Sequence, residues 1–496
     1  MNRQITRIAT FSVLLVVALV VGTTYWQTWA SAGLADRQDN AIQRVAEFKV
    51  DRGEISTGQS VLAKNLRKKV DGQVFFFRRY PRHRFAAQVV GYSTQGRSRA
   101  GIERSLNDFL TASNANLSTL FDTTFDRLKG TTVKGNDVQL TLNVKAQTVA
   151  QNELRGVCGA AVAINPKTGA VLAMASSPSY DPNLIETKDG YAKILNTKAA
   201  CAPASPLLNR ATQGLYPPGS IFKTVTASAA LDTGKFKLDS TFFDPGYCIE
   251  YGKRVSNAGN PETGPEQFGR VNFVQAFQHS INAVFCEVGK KLGAGTVLDY
   301  AKRYGFYERP PLETPLSERF PSGLYQGGKL FDPRDPNQVD PGRLAFGQER
   351  LLVTPLQMAM VAATIANGGV GMRPYVVKRI VSPAGKTLRK TRPRSLERAT
   401  NPETAAALTT MMVAAVEGGT GTRAQIPGIK VAGKTGTAET NVDRVYTAWF
   451  VFFAPADDPQ VAGAVVVERV PNGFGGAVAA PIAKAIMQAI LPAESN

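Results

Sequence analysis

Residues 8–35 carry no charged side chain, and the stretch TFSVLLVVALVVGTTYW within them is almost wholly apolar. No other feature limits the chain so strongly. Backbone in hydrocarbon must satisfy its own hydrogen bonds, and within one segment only a helix does so. Residues 8–26 come close to the roughly 20 residues that such a helix needs to cross a bilayer core. Tyr25, Trp26 and Trp29 stand at the far end, where an interfacial aromatic belt belongs. Arg3 and Arg7 precede the run, which predicts that residues 1–7 stay in the cytoplasm and that everything after the span is exported. Ala30-Ser31-Ala32 also resembles a cleavage site, so a removed signal peptide is the competing reading. The length of the run favours an uncleaved, single-pass anchor in the plasma membrane.

The chain of 496 residues can hold two or three domains, and 43% hydrophobic with 20% charged residues is ordinary for a folded protein. A net charge of +19 reads first as a solvated basic surface; the functional alternative is attraction to polyanions, whether nucleic acid, anionic lipid or cell-wall polymer. No zinc-finger or RNP-like spacing accompanies it, so nucleic acid is not expected as a partner. The cysteines Cys158, Cys201, Cys248 and Cys286 form no C-x-x-C pair, which argues against a zinc site. Outside the cytoplasm they are free to form two disulfides in any of three connectivities, or to stay as four buried thiols.

After the span, residues 31–44 read as a polar stalk. Alternation over 48–66, the apolar run 74–77 and a helix-like segment to Leu110 predict a small α+β domain, so residues 27–137 are taken as stalk plus N-terminal pedestal, with 130–137 as linker. From Val138 the pattern changes. Strands are expected at 138–142, 160–165, 170–175, 446–453 and 461–468, and helices at 143–154, 221–231, 356–366 and 478–491. Strands at both ends of residues 138–496, with helices between, predict an α/β domain around one central antiparallel sheet.

The segment from Gly428 to Glu439, GIKVAGKTGTAE, admits two chemistries. Its start fits G-x-x-x-x-G-K-[ST], a phosphate loop, which needs a strand before it and a helix beginning at its lysine. Neither fits the flanking residues, so the nucleotide reading is set aside. Its middle, Lys434-Thr435-Gly436, belongs with two motifs upstream.

In Tyr216-Pro217-Pro218-Gly219-Ser220-Ile221-Phe222-Lys223 the prolines and glycine bar a helix before Ser220, which then lies at a helix N-terminus. Lys223, three residues on, shares its face. A lysine on an apolar helix is costly to bury charged, so its pKa should fall and make it a usable base for a serine nucleophile. Alone the pair reads more readily as a cap and an outward lysine. Ser280-Ile281-Asn282 and then Lys434-Thr435-Gly436 follow in order, completing S-x-x-K, S-x-N and K-T-G. Ser280 can relay a proton to a leaving amine, and Asn282 can orient Lys223 and a substrate amide. Lys434 adds a second cation that depresses the pKa of Lys223. Thr435 and Thr437 can hold a carboxylate, Gly436 lets a strand lie close to a bound peptide, and the backbone N–H groups of Ser220 and Thr437 make an oxyanion hole. Of the two histidines, His83 sits in a basic cluster and His279 lacks a G-x-S-x-G serine to serve; solvation and packing are expected for them.

With these residues the chain resembles a class B penicillin-binding protein, the monofunctional peptidoglycan D,D-transpeptidase family, most of all its short A type. Arg52-Gly53-x-Ile55, Gly101-Ile102-Glu103, Asn165-Pro166-x-Thr168-Gly169, Phe346-Gly347-Gln348 and Thr354-Pro355-Leu356-Gln357 extend the likeness over nearly the whole chain. The resemblance implies that Ser220 attacks the penultimate D-Ala carbonyl of a stem peptide, releases terminal D-Ala and passes the acyl group to a neighbouring stem. It implies β-lactams as inhibitors acylating Ser220, peptidoglycan stem peptides on a lipid-linked precursor as substrate, a membrane glycosyltransferase and division proteins as partners, and no metal or cofactor. Ile281 stands where class A β-lactamases carry Asp. The alternatives are a D,D-carboxypeptidase or β-lactamase on the same fold, and a non-catalytic division scaffold or β-lactam sensor.

Overall fold

The structure is a computed structural model that describes residues 2–25, 47–113, 133–260, 264–440, 442 and 444–492. Asn2–Tyr25 is one helix; within its stretch Arg3–Tyr25 an 18-residue window has a mean hydropathy of 2.3, and none of that window is buried against the rest of the chain. It begins earlier than the apolar pattern alone suggests, since Arg3 and Arg7 lie on the same helix. By length and composition it is a candidate membrane span. The stalk at 31–44, Trp26 and Trp29 lie outside the described residues.

The N-terminal module is built on a six-stranded sheet. Ser60–Val70 and Gln73–Arg79 form a hairpin closed by Asp71-Gly72, both at positive φ (48° and 80°), as a twisted two-residue turn requires. Ile55–Thr57 pairs antiparallel with Ser60–Val70 and parallel with Asp137–Leu140. Next come Val377–Val381 and Thr387–Lys390, contributed by a hairpin far along the chain. The 137/138 division therefore falls inside a strand, and the sheet is shared between the two parts of the molecule. Val133 and Asn136 are buried, so this end of the expected linker is packed in place. Beneath the sheet, Glu103 is fully buried between two guanidinium groups, 2.8 Å from Arg52 Nε and 2.6 Å from Arg78 Nε. Burial alone would raise its pKa, but Arg78 and Arg52 outweigh it and hold the carboxyl below its ordinary value. The sequence pieces around Arg52 and Glu103 thus meet in one ionic knot.

The larger part centres on a five-stranded antiparallel sheet in the order Ala432–Glu439, Val445–Ala454, Val461–Pro471, Cys158–Ile164, Val171–Ser177. Both faces are covered. Phe450, Phe452, Val465 and Val467 pack under Val144–Glu153 and Gly475–Ile490, whereas Trp449, Val451, Phe453 and Val466 face the opposite side with Pro355–Ala366. Double-sided burial explains why these strands read as apolar runs rather than alternating ones. Asn143 caps the helix Val144–Glu153 by accepting from Ala146 N–H, and Thr354 does the same for Pro355–Ala366 from Gln357 N–H. All four cysteines are paired, Cys158 with Cys201 and Cys248 with Cys286, at Cα separations of 5.5 and 6.5 Å. Glu468, near the end of Val461–Pro471, holds buried Arg210 at 2.9 Å and accepts from the Tyr216 hydroxyl.

Candidate active site

Ser220 is the second residue of a short 3₁₀ turn, Gly219–Phe222, that runs directly into the α-helix Lys223–Asp232. The turn is tightly held. Tyr216 exchanges backbone hydrogen bonds with Val353, Gly219 N–H donates to Gly347 O, and Trp449 Nε1 donates to Pro217 O at 2.9 Å. Ser220 stays partly exposed and lines a cleft of about 600 Å³ together with Ser280, Asn282, Thr435 and Thr437, within the range of small-molecule sites.

Lys223 is fully buried. Its Nζ lies 2.6 Å from Ser280 O, 2.8 Å from Asn282 Oδ1 and 3.3 Å from Ser280 Oγ, with the Phe285 ring 5.3 Å away. Among the described residues it makes no salt bridge, and no hydrogen bond joins it to Ser220 Oγ. Burial, reinforced by repulsion from Lys434, holds its pKa well below the ordinary lysine value. A neutral amine has two N–H donors for the two carbonyl-type oxygens, leaving its lone pair toward a hydroxyl. Ser280 is placed by a left-handed backbone, φ 59°, just after the helix Phe273–Gln278. Asn282 begins the helix Asn282–Leu292, and both ends of its amide are engaged: Oδ1 accepts from Lys223, and Nδ2 donates one hydrogen to Ser256 O at 3.0 Å, leaving its second N–H available.

Lys434 lies inside the strand Ala432–Glu439, not at the start of a helix, so the phosphate-loop geometry is absent there. Its buried Nζ donates to Thr435 O at 3.1 Å and faces the Phe277 ring, and burial pulls its pKa down to about 7. Thr435 Oγ1 lies 2.5 Å from Thr420 Oγ1, and Thr437 Oγ1 accepts from Gly475 N–H. The strand is the edge of its sheet, so its outward backbone groups are left over from the ladder. A Cβ on Gly219 would lie 2.8 Å from Thr437 O, so that carbonyl faces the serine turn. Within a strand residue N–H and C=O share a side, so the Thr437 N–H faces the turn as well. Gly436 has a different reason from the one expected: a Cβ there would meet Pro218 O at 2.8 Å and Ile221 Cγ2 at 2.9 Å. Glycine at this position lets the strand close on the serine turn itself.

All eight residues singled out from sequence thus gather around one cleft. Sequence reasoning missed Thr420, Asn257 and Asp244. Asn257 Oδ1 accepts from Ala283 N–H, and its Nδ2 donates to Asp244, whose carboxylate also takes Gly246 and Phe268 N–H. None of these stands in a recognisable motif; Thr420 lies in the glycine-rich stretch before Pro427, whose only sequence signal was a break in regular structure. His279 stacks on Phe268 with ring centroids 4.9 Å apart, and His83, on the surface, binds Asp181.

Residues 159–488 match the penicillin binding protein transpeptidase domain, and residues 52–138 match the penicillin binding protein A dimerisation domain. The chain is 37% identical to the peptidoglycan D,D-transpeptidase PbpA of Mycolicibacterium smegmatis over 99% of both chains, and 35% identical to its Mycobacterium tuberculosis namesake over the full length of both. Among solved structures, penicillin-binding protein A from M. tuberculosis, as a ceftriaxone acyl-enzyme complex, superposes with a TM-score of 0.80 at 32% identity, covering 90% of this chain and 100% of that one. With a serine, a buried lysine and a lysine-bearing edge strand converging on one cleft, and this likeness running end to end, the chain belongs to the penicillin-binding protein transpeptidase family.

Proposed function

We propose that this protein is a peptidoglycan D,D-transpeptidase, held by the Asn2–Tyr25 helix with residues 1–7 in the cytoplasm and the catalytic domain outside, in which Ser220 is the nucleophile and Lys223 its base. Ser220 Oγ attacks the penultimate D-Ala carbonyl while its proton passes to Lys223 Nζ. The oxyanion is met by the N–H groups of Ser220 and Thr437. Collapse breaks the peptide C–N bond, and terminal D-Ala leaves with a proton relayed through Ser280. An amine of a second stem then attacks the ester; the new amide forms, and Ser220 recovers its proton. Thr435 and Thr437 hold the substrate carboxylate, and Lys434 keeps Lys223 neutral. Stem peptides on a lipid-linked precursor are the substrate and β-lactams acylate the same serine. A membrane glycosyltransferase and division proteins are the proposed partners.

One observation carries this reading. The Lys223 amine is buried three residues from Ser220, without a carboxylate partner among the described residues, and is pinned by Ser280 O and Asn282 Oδ1. The test is intact-mass analysis after incubation with penicillin. The expected result is a stable adduct on the Tyr216–Lys223 segment that disappears in Ser220→Ala; an adduct elsewhere, or none, overturns the assignment. With a stem-peptide donor and an acceptor amine, cross-linked amide is expected, and free acid alone would make the protein a carboxypeptidase.

A further inference from the structure

The hairpin Ser60–Val70/Gln73–Arg79 reaches out of the N-terminal module, and its two faces differ. One turns inward. Near the base of that face Phe76 is buried, Arg78 binds Glu103, and Asn65 donates to Asp51 and the Arg52 carbonyl, while Arg67 and Lys69 on it are exposed. The register then places Lys64 beside Arg79, Leu66 beside Phe77 and Lys68 beside Phe75 on the other face. That face is open: Leu66 is 49% and Val70 44% exposed, while Phe75 and Phe77 are half-buried. Lys64, Lys68 and Arg79 on it are exposed and form no salt bridge among the described residues, and Lys68 Nζ stands over the Phe77 ring at 5.4 Å. Interleaved cations and apolar side chains on one surface suit an interface between headgroups and acyl chains.

The chain also enters the module here. Phe48 packs against Phe77 with centroids 6.1 Å apart, and the Phe76 N–H donates to the Phe48 carbonyl. Only residues 26–46 separate this point from the end of the Asn2–Tyr25 helix, a length that reaches at most about 70–75 Å when fully extended. We infer that the face of Lys64, Leu66, Lys68, Val70, Phe75 and Arg79 docks onto anionic lipid in the bilayer that holds the anchor, orienting the catalytic domain relative to that surface. This rests on the anchor reading, but it does not depend on the acyl chemistry.

The test places the full-length protein, one copy per disc, in lipid nanodiscs of phosphatidylcholine alone or with phosphatidylglycerol. An environment-sensitive probe is attached at Val70→Cys, and its quenching by headgroup spin-labelled lipid is read. Quenching should appear in the anionic discs and weaken in high salt. It should fall at least ten-fold in the triple variant Lys64→Glu, Lys68→Glu, Arg79→Glu, since each cation near such a surface contributes about five-fold. Penicillin acylation should be unchanged in that variant, which shows that it is folded. Equal quenching in neutral and anionic discs, or none, overturns the docking. Quenching that needs two copies per disc assigns the face to a second copy of the chain instead. A chain that never enters the discs overturns the anchor, and the docking with it.

Discussion

Replacing Asn282 by Asp would set a carboxylate where an amide oxygen now accepts, 2.8 Å from Lys223 Nζ. An opposite charge so close raises a lysine pKa and undoes what burial and Lys434 achieve. At neutral pH the amine would be protonated and useless as a base. Acylation by penicillin should fall roughly 100-fold, with its alkaline-rising limb displaced to higher pH. Lys434→Met displaces the same limb upward for a separate reason, since the repulsion that lowers Lys223 is gone. This variant also carries a stability signature. Lys434 has a pKa of about 7 when folded and about 10.5 when free, so between those values the unfolded chain binds a proton that the native one does not. Stability from this group therefore rises with pH across that window and is least below pH 7. The wild-type melting temperature should climb relative to that of Lys434→Met between pH 7 and 9; parallel curves would mean that the amine is not held neutral. Motif order made these residues legible in the sequence. The reason for Gly436 was not, because the atoms that forbid a side chain there, Pro218 O and Ile221 Cγ2, are brought in by tertiary packing.

The strand Val461–Pro471 ends by presenting Glu468 to buried Arg210, and that pair fixes Tyr216 ahead of the serine turn. Removing one partner of a buried pair leaves an uncompensated charge, so Glu468→Ala should cost about 3–5 kcal/mol, read as a lower denaturation midpoint. The double variant Arg210→Met, Glu468→Leu should recover much of that loss. Elements at this scale were readable to within a few residues. Tyr446–Phe453 was expected and Val445–Ala454 is found, because two buried faces leave an unbroken apolar run. The serine segment was read as a helix from Ser220, whereas Gly219–Phe222 is a 3₁₀ turn and the α-helix begins at Lys223. Propensity does not separate the two; the tight turn follows from the Gly219–Gly347 and Tyr216–Val353 backbone contacts, made with residues over a hundred positions away.

At the scale of the molecule, the largest departure from the sequence reading is the shared sheet. Periodicity locates strands but carries no sign of which strand a distant one joins, and Val377–Val381 pairs with Asp137–Leu140 across some 240 positions. A fragment spanning residues 47–142 would keep four strands and lose Val377–Val381, which pairs with Asp137–Leu140, and Thr387–Lys390 beyond it. Such a fragment should show no cooperative thermal transition by circular dichroism, and a sharp one would mean that the module folds alone.

The same arrangement has a mechanical outcome. On the proposed anchoring and substrate, tension between the membrane anchor and a bound wall strand would cross this shared sheet. The load would then fall on the rungs joining Asp137–Leu140 to Val377–Val381, several at once, rather than on a single connecting segment.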